Sequence, residues 1–409
     1  MRFKLSAIAE DPMPESTHTR FAEHKARTCR LQADLLALGC GALFVTSEDN
    51  IQYLTGFKSP VWNNLTRPHY LIVPAKGEPI LISPANYAVI AEQTTWITDV
   101  RTWVSPNPED DGVSLVVDAL RSSTDAMKKI AAELGPQSRL TMPAGDFLRI
   151  QKMLQRVEFV DGHALLMSYR VVKSASEIER IQVAATAASR ALNELPTIAR
   201  SGQSLYDLAQ ALKMRIIELG AQDVPYMVGV SGQGGYPCVN LAPDHRPLRS
   251  GDVFVFDVAA RYDGYYCDFD RDYAVGAPSV EVRSAYRRLW EATEAAIDAV
   301  KPGLRMSDIW QVMAKELGGV QQARSAKVGR LGHSIGLRLC EEPSIGEADH
   351  TVIRANMVLT LEPSLVLKPS SGRQADRRIM VHEENILVTE TGCRLMSLRT
   401  PKEMPIIQE

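Results

Sequence analysis

Apolar residues recur along this chain with two different periods, and the places where the period changes mark its elements. Over residues 20–40, Leu31, Leu35 and Leu36 fall on one face of a predicted helix, which Cys40-Gly41 ends. Ala42-Leu43-Phe44-Val45-Thr46 is short and apolar, the pattern of a buried strand. Tyr70-Leu71-Ile72-Val73-Pro74 and Pro79-Ile80-Leu81-Ile82 are two further strands, with Ala75-Lys76-Gly77-Glu78 as the turn of a hairpin between them. Strands then alternate with helices, one of them predicted over 115–134, so the first 160 residues or so predict a small α/β domain with a mixed sheet.

A boundary is expected near 169–174. Beyond it, Ser174 or Ser176 caps a helix with Glu177 and Glu179 in its first turn, and Ile178, Ile181, Ala185, Ala188 and Leu192 recur at helical spacing. A second helix is predicted over 205–219. The texture then turns to strand: Gly251-Asp252 launches the run 253–260, and Tyr262-Asp263-Gly264-Tyr265 turns the chain back toward Asp268. Helices follow over 279–300 and 306–317, and two more apolar strands carry Glu362 and Glu383. The fold class is α+β in two domains, 1–165 and 166–409.

Composition narrows this little. A chain of 409 residues fits two domains, and 45% apolar with 23% charged residues is ordinary for a globular protein. A net charge of −3 gives no electrostatic reason to expect nucleic acid or an anionic membrane as partner. No run approaches the roughly eighteen apolar residues of a membrane span, and the apolar run within residues 1–11 is too short for a signal segment. The six cysteines are isolated, which fits reduced thiols in a cytoplasm and, without a CxxC pair, argues against a thiolate zinc site.

Five scattered residues change the picture: Asp257, Asp268, His333, Glu362 and Glu383. Taken singly each has an ordinary reading, an aspartate ending a strand at a turn or a histidine packed in a core. Glu362 is harder to dismiss, because it ends the apolar run Val358-Leu359-Thr360-Leu361 and a bare buried charge costs several kcal/mol. Glu383 and Glu384 precede a further strand, and by alternation alone either is the inward one. Four carboxylates brought together would raise one another's pKa values, so a fold that gathers them needs countercharge, for which a divalent metal is the usual source.

The segments Phe256-Asp257-Val258-Ala259, Gly264-Tyr265-Tyr266-Cys267-Asp268-Phe269-Asp270-Arg271, Gly332-His333-Ser334-Ile335-Gly336-Leu337, Leu361-Glu362-Pro363 and Glu383-Glu384-Asn385-Ile386-Leu387-Val388-Thr389 together resemble the creatinase, prolidase and aminopeptidase P family. Its catalytic fold is called pita-bread, and the resemblance runs over residues 169–399 and more weakly over the N-terminal part. It implies a creatinase-like N-terminal domain and a pita-bread catalytic domain. It also implies two divalent ions (Mn, Fe, Co or Zn), bridged by Asp268 and Glu383, with Asp257 on one and His333 and Glu362 on the other. A bridging hydroxide would be the nucleophile and Glu362 the proton shuttle.

The chain departs from the family pattern at several points. Asn240 and Cys340 stand where two further histidines usually contact substrate, Val381 replaces an arginine, and Asp270 replaces a small hydroxyl residue. Arg377 or Arg378 would stand in for the arginine, and His245 or His350 for a histidine. Arg67-Pro68-His69-Tyr70 resembles a creatinase stretch, which makes Arg67, with Trp62, a candidate carboxylate clamp delivered across a homodimer interface. The expected activity is metal-dependent hydrolysis of a C–N bond in a cytoplasmic Xaa-Pro dipeptidase or aminopeptidase-like enzyme acting on a small peptide. The alternatives are a hydrolase or lyase of a small carboxylated zwitterion, such as a compatible solute or creatine-like amide, and a non-catalytic binding protein.

Overall fold

The strand segments of the first unit pair into one six-stranded sheet. They are β1 (Ala42–Val45), β2 (Tyr70–Pro74), β3 (Ile80–Pro84), β4 (Asp99–Trp103), β5 (Lys129–Ala132) and β6 (Glu158–Asp161), in the order β4-β3-β2-β1-β5-β6. A computed structural model describes residues 17–60, 62, 66–124, 127–367 and 377–408, and the chain divides into two compact units, Met1–Tyr169 and Arg170–Glu409. The N-terminal run 1–11 lies outside the described residues. Among those described, no helix is long and apolar enough to cross a membrane.

The sheet is mixed, as the hairpin turn and the intervening helices require. β2 runs antiparallel to β1 and β3, whereas β3–β4, β1–β5 and β5–β6 are parallel. Phe44, Tyr70, Ile72 and Ile82 pack with Val116 and Leu120 in a common core.

Two local expectations are corrected in this unit. The segment predicted as one helix over 115–134 is a helix, Val113–Ser123, followed by strand β5. The Ser122, Ser123 and Thr124 hydroxyls all bond back to carbonyls of the preceding turn, and Ile130 and Ala132 are fully buried on the following strand. The polar stretch from Arg121 to Thr124 thus marks the break between two apolar segments that the one predicted helix spans. In the helix Thr17–Ala37, Leu31 and Leu35 are buried but Leu36 is 38% exposed. Adjacent residues stand about 100° apart around a helix, so Leu35 and Leu36 cannot both face the core.

In the second unit the helix Ala175–Ile198 starts at Ser174 rather than Ser176. The Ser174 hydroxyl accepts from the Glu177 amide at 3.3 Å and the Glu177 carboxylate accepts from the Ser174 amide at 2.8 Å, a reciprocal cap. After the helix Leu205–Glu218 come β7 (Asp223–Gln233), β8 (Asp252–Tyr262), β9 (Tyr265–Tyr266) and β10 (Phe269–Val275). The helices Val280–Ala299 and Met306–Glu316 separate these from β11 (His333–Ser334), β12 (Glu341–Ser344), β13 (Val358–Leu361), β14 (Ser364–Leu367), β15 (Arg378–Val381), β16 (Glu384–Val388), β17 (Cys393–Leu395) and β18 (Ile406–Ile407). One sheet has the order β18-β10-β8-β7 with β9 on β8, a second has β12-β11-β13-β16-β17, and β14 and β15 form a separate ribbon.

Arg271 ties the two sheets together. Its guanidinium is 2% exposed and donates to the Glu383 carbonyl at 2.8 Å and to the Glu384 carboxylate at 2.9 Å. Asn385 joins the same strands from the other side, its Oδ1 accepting from the Asp268 amide at 3.0 Å.

Candidate metal centre

Strand register sets the first two carboxylates. Asp257 in β8 lies opposite Asp270 in β10, and Asp268 is two residues before Asp270, so the period of a strand turns all three to one face. Glu383 is the residue immediately before β16. Its amide donates to Asp270 Oδ1 at 3.0 Å, which holds this part of the chain against β10. Glu384 takes Arg271 and Arg399 instead, so the two adjacent glutamates part company, one facing the cluster and the other an arginine pair.

His333 and Glu362 come from the second sheet. Gly332 at φ +141° lets the backbone ahead of His333 press against β13, where a Cβ would stand 2.2 Å from the Thr360 carbonyl. The His333 amide then donates to Thr360 Oγ1 at 3.2 Å, and the Glu362 amide donates to the Leu331 carbonyl at 2.9 Å. His333 Nδ1 donates to the Ser334 carbonyl at 2.9 Å, which fixes the tautomer and leaves Nε2 as a lone-pair donor.

All five residues are brought together. Ligating atoms of Asp257, Asp268 and Glu383 lie within 4.8 Å of one another, as do those of His333, Glu362 and Glu383 and those of Asp268, His333 and Cys340. His333 Nε2 is 3.5 Å from Asp268 Oδ2 and 4.0 Å from Glu362 Oε2. Two buried oxygens, Asp257 Oδ1 and Glu383 Oε1, have no hydrogen-bond partner among the described residues.

The electrostatics are those of a buried acidic cluster. Burial, then the neighbouring carboxylates, pushes Asp268 and Glu383 well above the usual carboxylate range. Burial raises Asp257 to about 6, opposed by a hydrogen bond from Tyr226, and raises Glu362 to about 7, with Asp257 adding repulsion and Arg330 relieving it. Burial and then Arg330 lower His333 to about 4, so the ring is neutral. Four carboxylates, one neutral imidazole and two orphaned oxygens are a donor set that fits divalent cations, whose charge would relieve the repulsion.

Of the remaining predicted residues in the second unit, Cys340 reaches the cluster. Asn240 is exposed in the loop after β7, next to Leu241, whose carbonyl accepts from Gly229. Cys340 faces the cluster, its sulfur 3.6 Å from His333 Nε2 and 3.2 Å from Arg330 Nη2; burial pushes the thiol up and Arg330 draws it down. Val381 lies in β15 with its amide on the Tyr236 hydroxyl at 2.7 Å. Arg377 and Arg378 bind the Ser325 and Gln233 carbonyls, His245 packs at a tilt against Tyr206, and His350 faces Ser307, so none of the four takes the place of a missing group by these contacts. In the first unit Trp62 packs edge-on against Phe57 and His69, and the half-buried Arg67 follows in the same loop.

Sequence reasoning missed Tyr226, whose hydroxyl donates to Asp257 Oδ2 at 3.0 Å, and missed the bracing roles of Arg271 and Asn385. A tyrosine in a strand carries no positional signal of its own, and the other two acquire meaning only once β10 and the chain around β16 are known to be neighbours.

Comparison with known proteins adds an independent line. The model of metallopeptidase family M24 matches residues 179–390, and that of the creatinase/prolidase N-terminal domain matches residues 27–172. The chain is 23% identical over 373 residues to an Xaa-Pro dipeptidase of Pyrococcus horikoshii, covering 89% of this chain and 94% of the relative. Among solved structures, dipeptidase PepE of Mycobacterium ulcerans superposes with a TM-score of 0.81 at 26% identity, covering 97% of this chain and 100% of the other. A recombinant prolidase of Thermococcus sibiricus gives 0.81 at 25% identity, covering 94% and 99%.

Proposed function

This chain belongs to metallopeptidase family M24 and is a metal-dependent hydrolase of the Xaa-Pro peptidase kind; from that premise we propose that it is a cytoplasmic, homodimeric dipeptidase using two divalent ions to cleave the bond before proline. The observation that carries the two-ion reading is the pair of orphaned, buried oxygens, Asp257 Oδ1 and Glu383 Oε1, inside the gathered donor set. Asp268, His333 and Glu383 each belong to two of the three donor groups. Of these, the two carboxylates have two oxygens each to share between ions, whereas His333 has only Nε2 free because its Nδ1–H is on the Ser334 carbonyl. Asp257 then serves one ion, and His333 and Glu362 the other. Divalent ions held there would supply Lewis-acid polarisation of a scissile carbonyl and would lower the pKa of a bound water.

The protein's own groups do the rest. His333, its Nδ1–H spent on the Ser334 carbonyl, offers Nε2 in one fixed direction. Glu362 is our choice for the proton carrier to the leaving nitrogen, because its side chain is 26% exposed whereas that of Asp268 is 7% exposed. Asn240 supplies a hydrogen-bonding amide without acid–base chemistry, and Arg67 with Trp62 is proposed to grip the substrate carboxylate.

The test is a panel of Xaa-Pro dipeptides, other dipeptides and small carboxylated amides, run with metal analysis of the purified protein. Proline dipeptides turned over by metal-loaded enzyme, with loss of both metal and turnover in Asp257→Asn, support the reading. Turnover confined to the carboxylated amides would replace the dipeptide with a zwitterionic substrate. Full activity in metal-free protein would end the metal reading altogether.

A further inference from the structure

Cys340 stands beside His333 and Asp268 in a way that packing alone does not require. Its Sγ is 3.6 Å from His333 Nε2, that same nitrogen is 3.5 Å from Asp268 Oδ2, and all three donors fall within 4.8 Å of one another. Bonds of about 2.3 Å to sulfur and about 2.05 Å to nitrogen at a tetrahedral angle hold the two donors about 3.5 Å apart. A thiol–imidazole hydrogen bond would account for the sulfur–nitrogen spacing alone, whereas a cation held by His333 and Asp268 accounts for the approach of all three donors to one point. The surroundings call for a cation independently: Glu383 is 1% exposed, its Oε1 has no hydrogen-bond partner among the described residues, and it shares a donor group with His333.

We propose that Cys340 is a thiolate ligand of the ion held by His333 and Asp268, so that this metal position has nitrogen, oxygen and sulfur donors. The inference rests on the metal reading above. Binding exchanges the S–H bond for a sulfur–metal bond and releases one proton to solvent, with no change of oxidation state. Arg330 Nη2, 3.2 Å from Sγ, shares the negative charge of the sulfur. The isolated position of Cys340 hides this role, because sequence reasoning looks for paired cysteines, whereas here the imidazole and the carboxylate complete the set. A soft donor in an otherwise hard set shifts the preference of that position from manganese toward zinc or cobalt(II).

The full chain loaded with cobalt(II) is expected to show a near-ultraviolet thiolate-to-cobalt charge-transfer band that disappears in Cys340→Ser and survives in Cys238→Ser, a half-buried cysteine outside the donor groups. The visible d–d bands should persist in both variants. The preference for zinc over manganese should fall at least about tenfold in Cys340→Ser. X-ray absorption of the zinc-loaded wild-type protein, which needs no variant, should show one sulfur scatterer per chain, an average of about half a sulfur per zinc when both positions are filled. Cobalt bound with d–d bands but no charge-transfer band, or a band that survives in Cys340→Ser, overturns the thiolate role and leaves the metal reading standing. Failure to bind cobalt or zinc at all overturns both.

Discussion

Tyr226 donates a 3.0 Å hydrogen bond to Asp257 Oδ2, which leaves Oδ1 as the oxygen without a partner. The phenol thereby orients the carboxylate, and partners of this kind typically carry 10–100-fold in metal affinity. Tyr226→Phe is accordingly expected to weaken binding at the Asp257 position about tenfold in calorimetric titration, with the helices intact by circular dichroism. Unchanged affinity would show that Asp257 needs no such partner. His69 offers a test in the other unit. It is 3% exposed, its Nδ1 lies 2.8 Å from Ser83 Oγ, and burial lowers its pKa from 6.5 to about 4. Between those values the unfolded chain binds a proton that the folded one refuses, so stability is intact above pH 6.5 and is lost as pH falls toward 4. The full loss is roughly 3 kcal/mol. Acid titration of urea midpoints should show this limb flattened in His69→Asn; parallel limbs would refute it. At this scale the sequence displayed the acids and the imidazole openly, because each breaks an apolar run or sits by a glycine turn. Tyr226 and Asn385 stayed hidden because their meaning depends on which strand lies opposite.

Among the elements, a buried guanidinium adds to the Glu383 and Asn385 bonds that join β10 to the chain around β16. Arg271 bonds the Glu383 and Leu398 carbonyls and the Glu384 carboxylate, each at 2.8 or 2.9 Å. Removing it takes a donor from the Asp270, Glu383 and Leu398 carbonyls and leaves Glu384 to Arg399, Ser397 and Thr400. Loss of one partner from a buried ion pair costs about 3–5 kcal/mol. Urea unfolding of Arg271→Leu should show that loss, and a change below about 1 kcal/mol would mean that Arg399 compensates fully. The strands and the long helices were readable from periodicity, since one apolar face leaves a clear imprint. The break between the helix Val113–Ser123 and β5 was not, because Ile130, Ala131 and Ala132 are buried on a strand that lies between two others and so do not alternate. Glu383 and Glu384 make the same point: residue types alone cannot tell which of two adjacent acids meets the cluster and which meets Arg271.

For the whole molecule, the α+β class and the pita-bread family were legible because widely spaced motifs agreed, whereas the choice of substrate depends on side chains that the motifs leave open. Two compact units, each with its own core, should also respond differently to loss of metal. On the proposed metal site, chelation would remove countercharge from the second unit alone, and ligand at about a hundred times its Kd contributes about 2.7 kcal/mol. Hydrogen exchange is expected to quicken in β8, β10, β13 and β16 on adding chelator while β1–β6 hold steady; uniform quickening would contradict a site confined to one unit. The five donors enter from two sheets and span residues 257–383, so no single hairpin or helix pair carries the set. A chain that has formed one sheet but not joined it to the other has no complete cage. The number of ions retained per chain therefore doubles as a gauge of native content, able to report partly assembled protein that spectroscopy of secondary structure would count as folded.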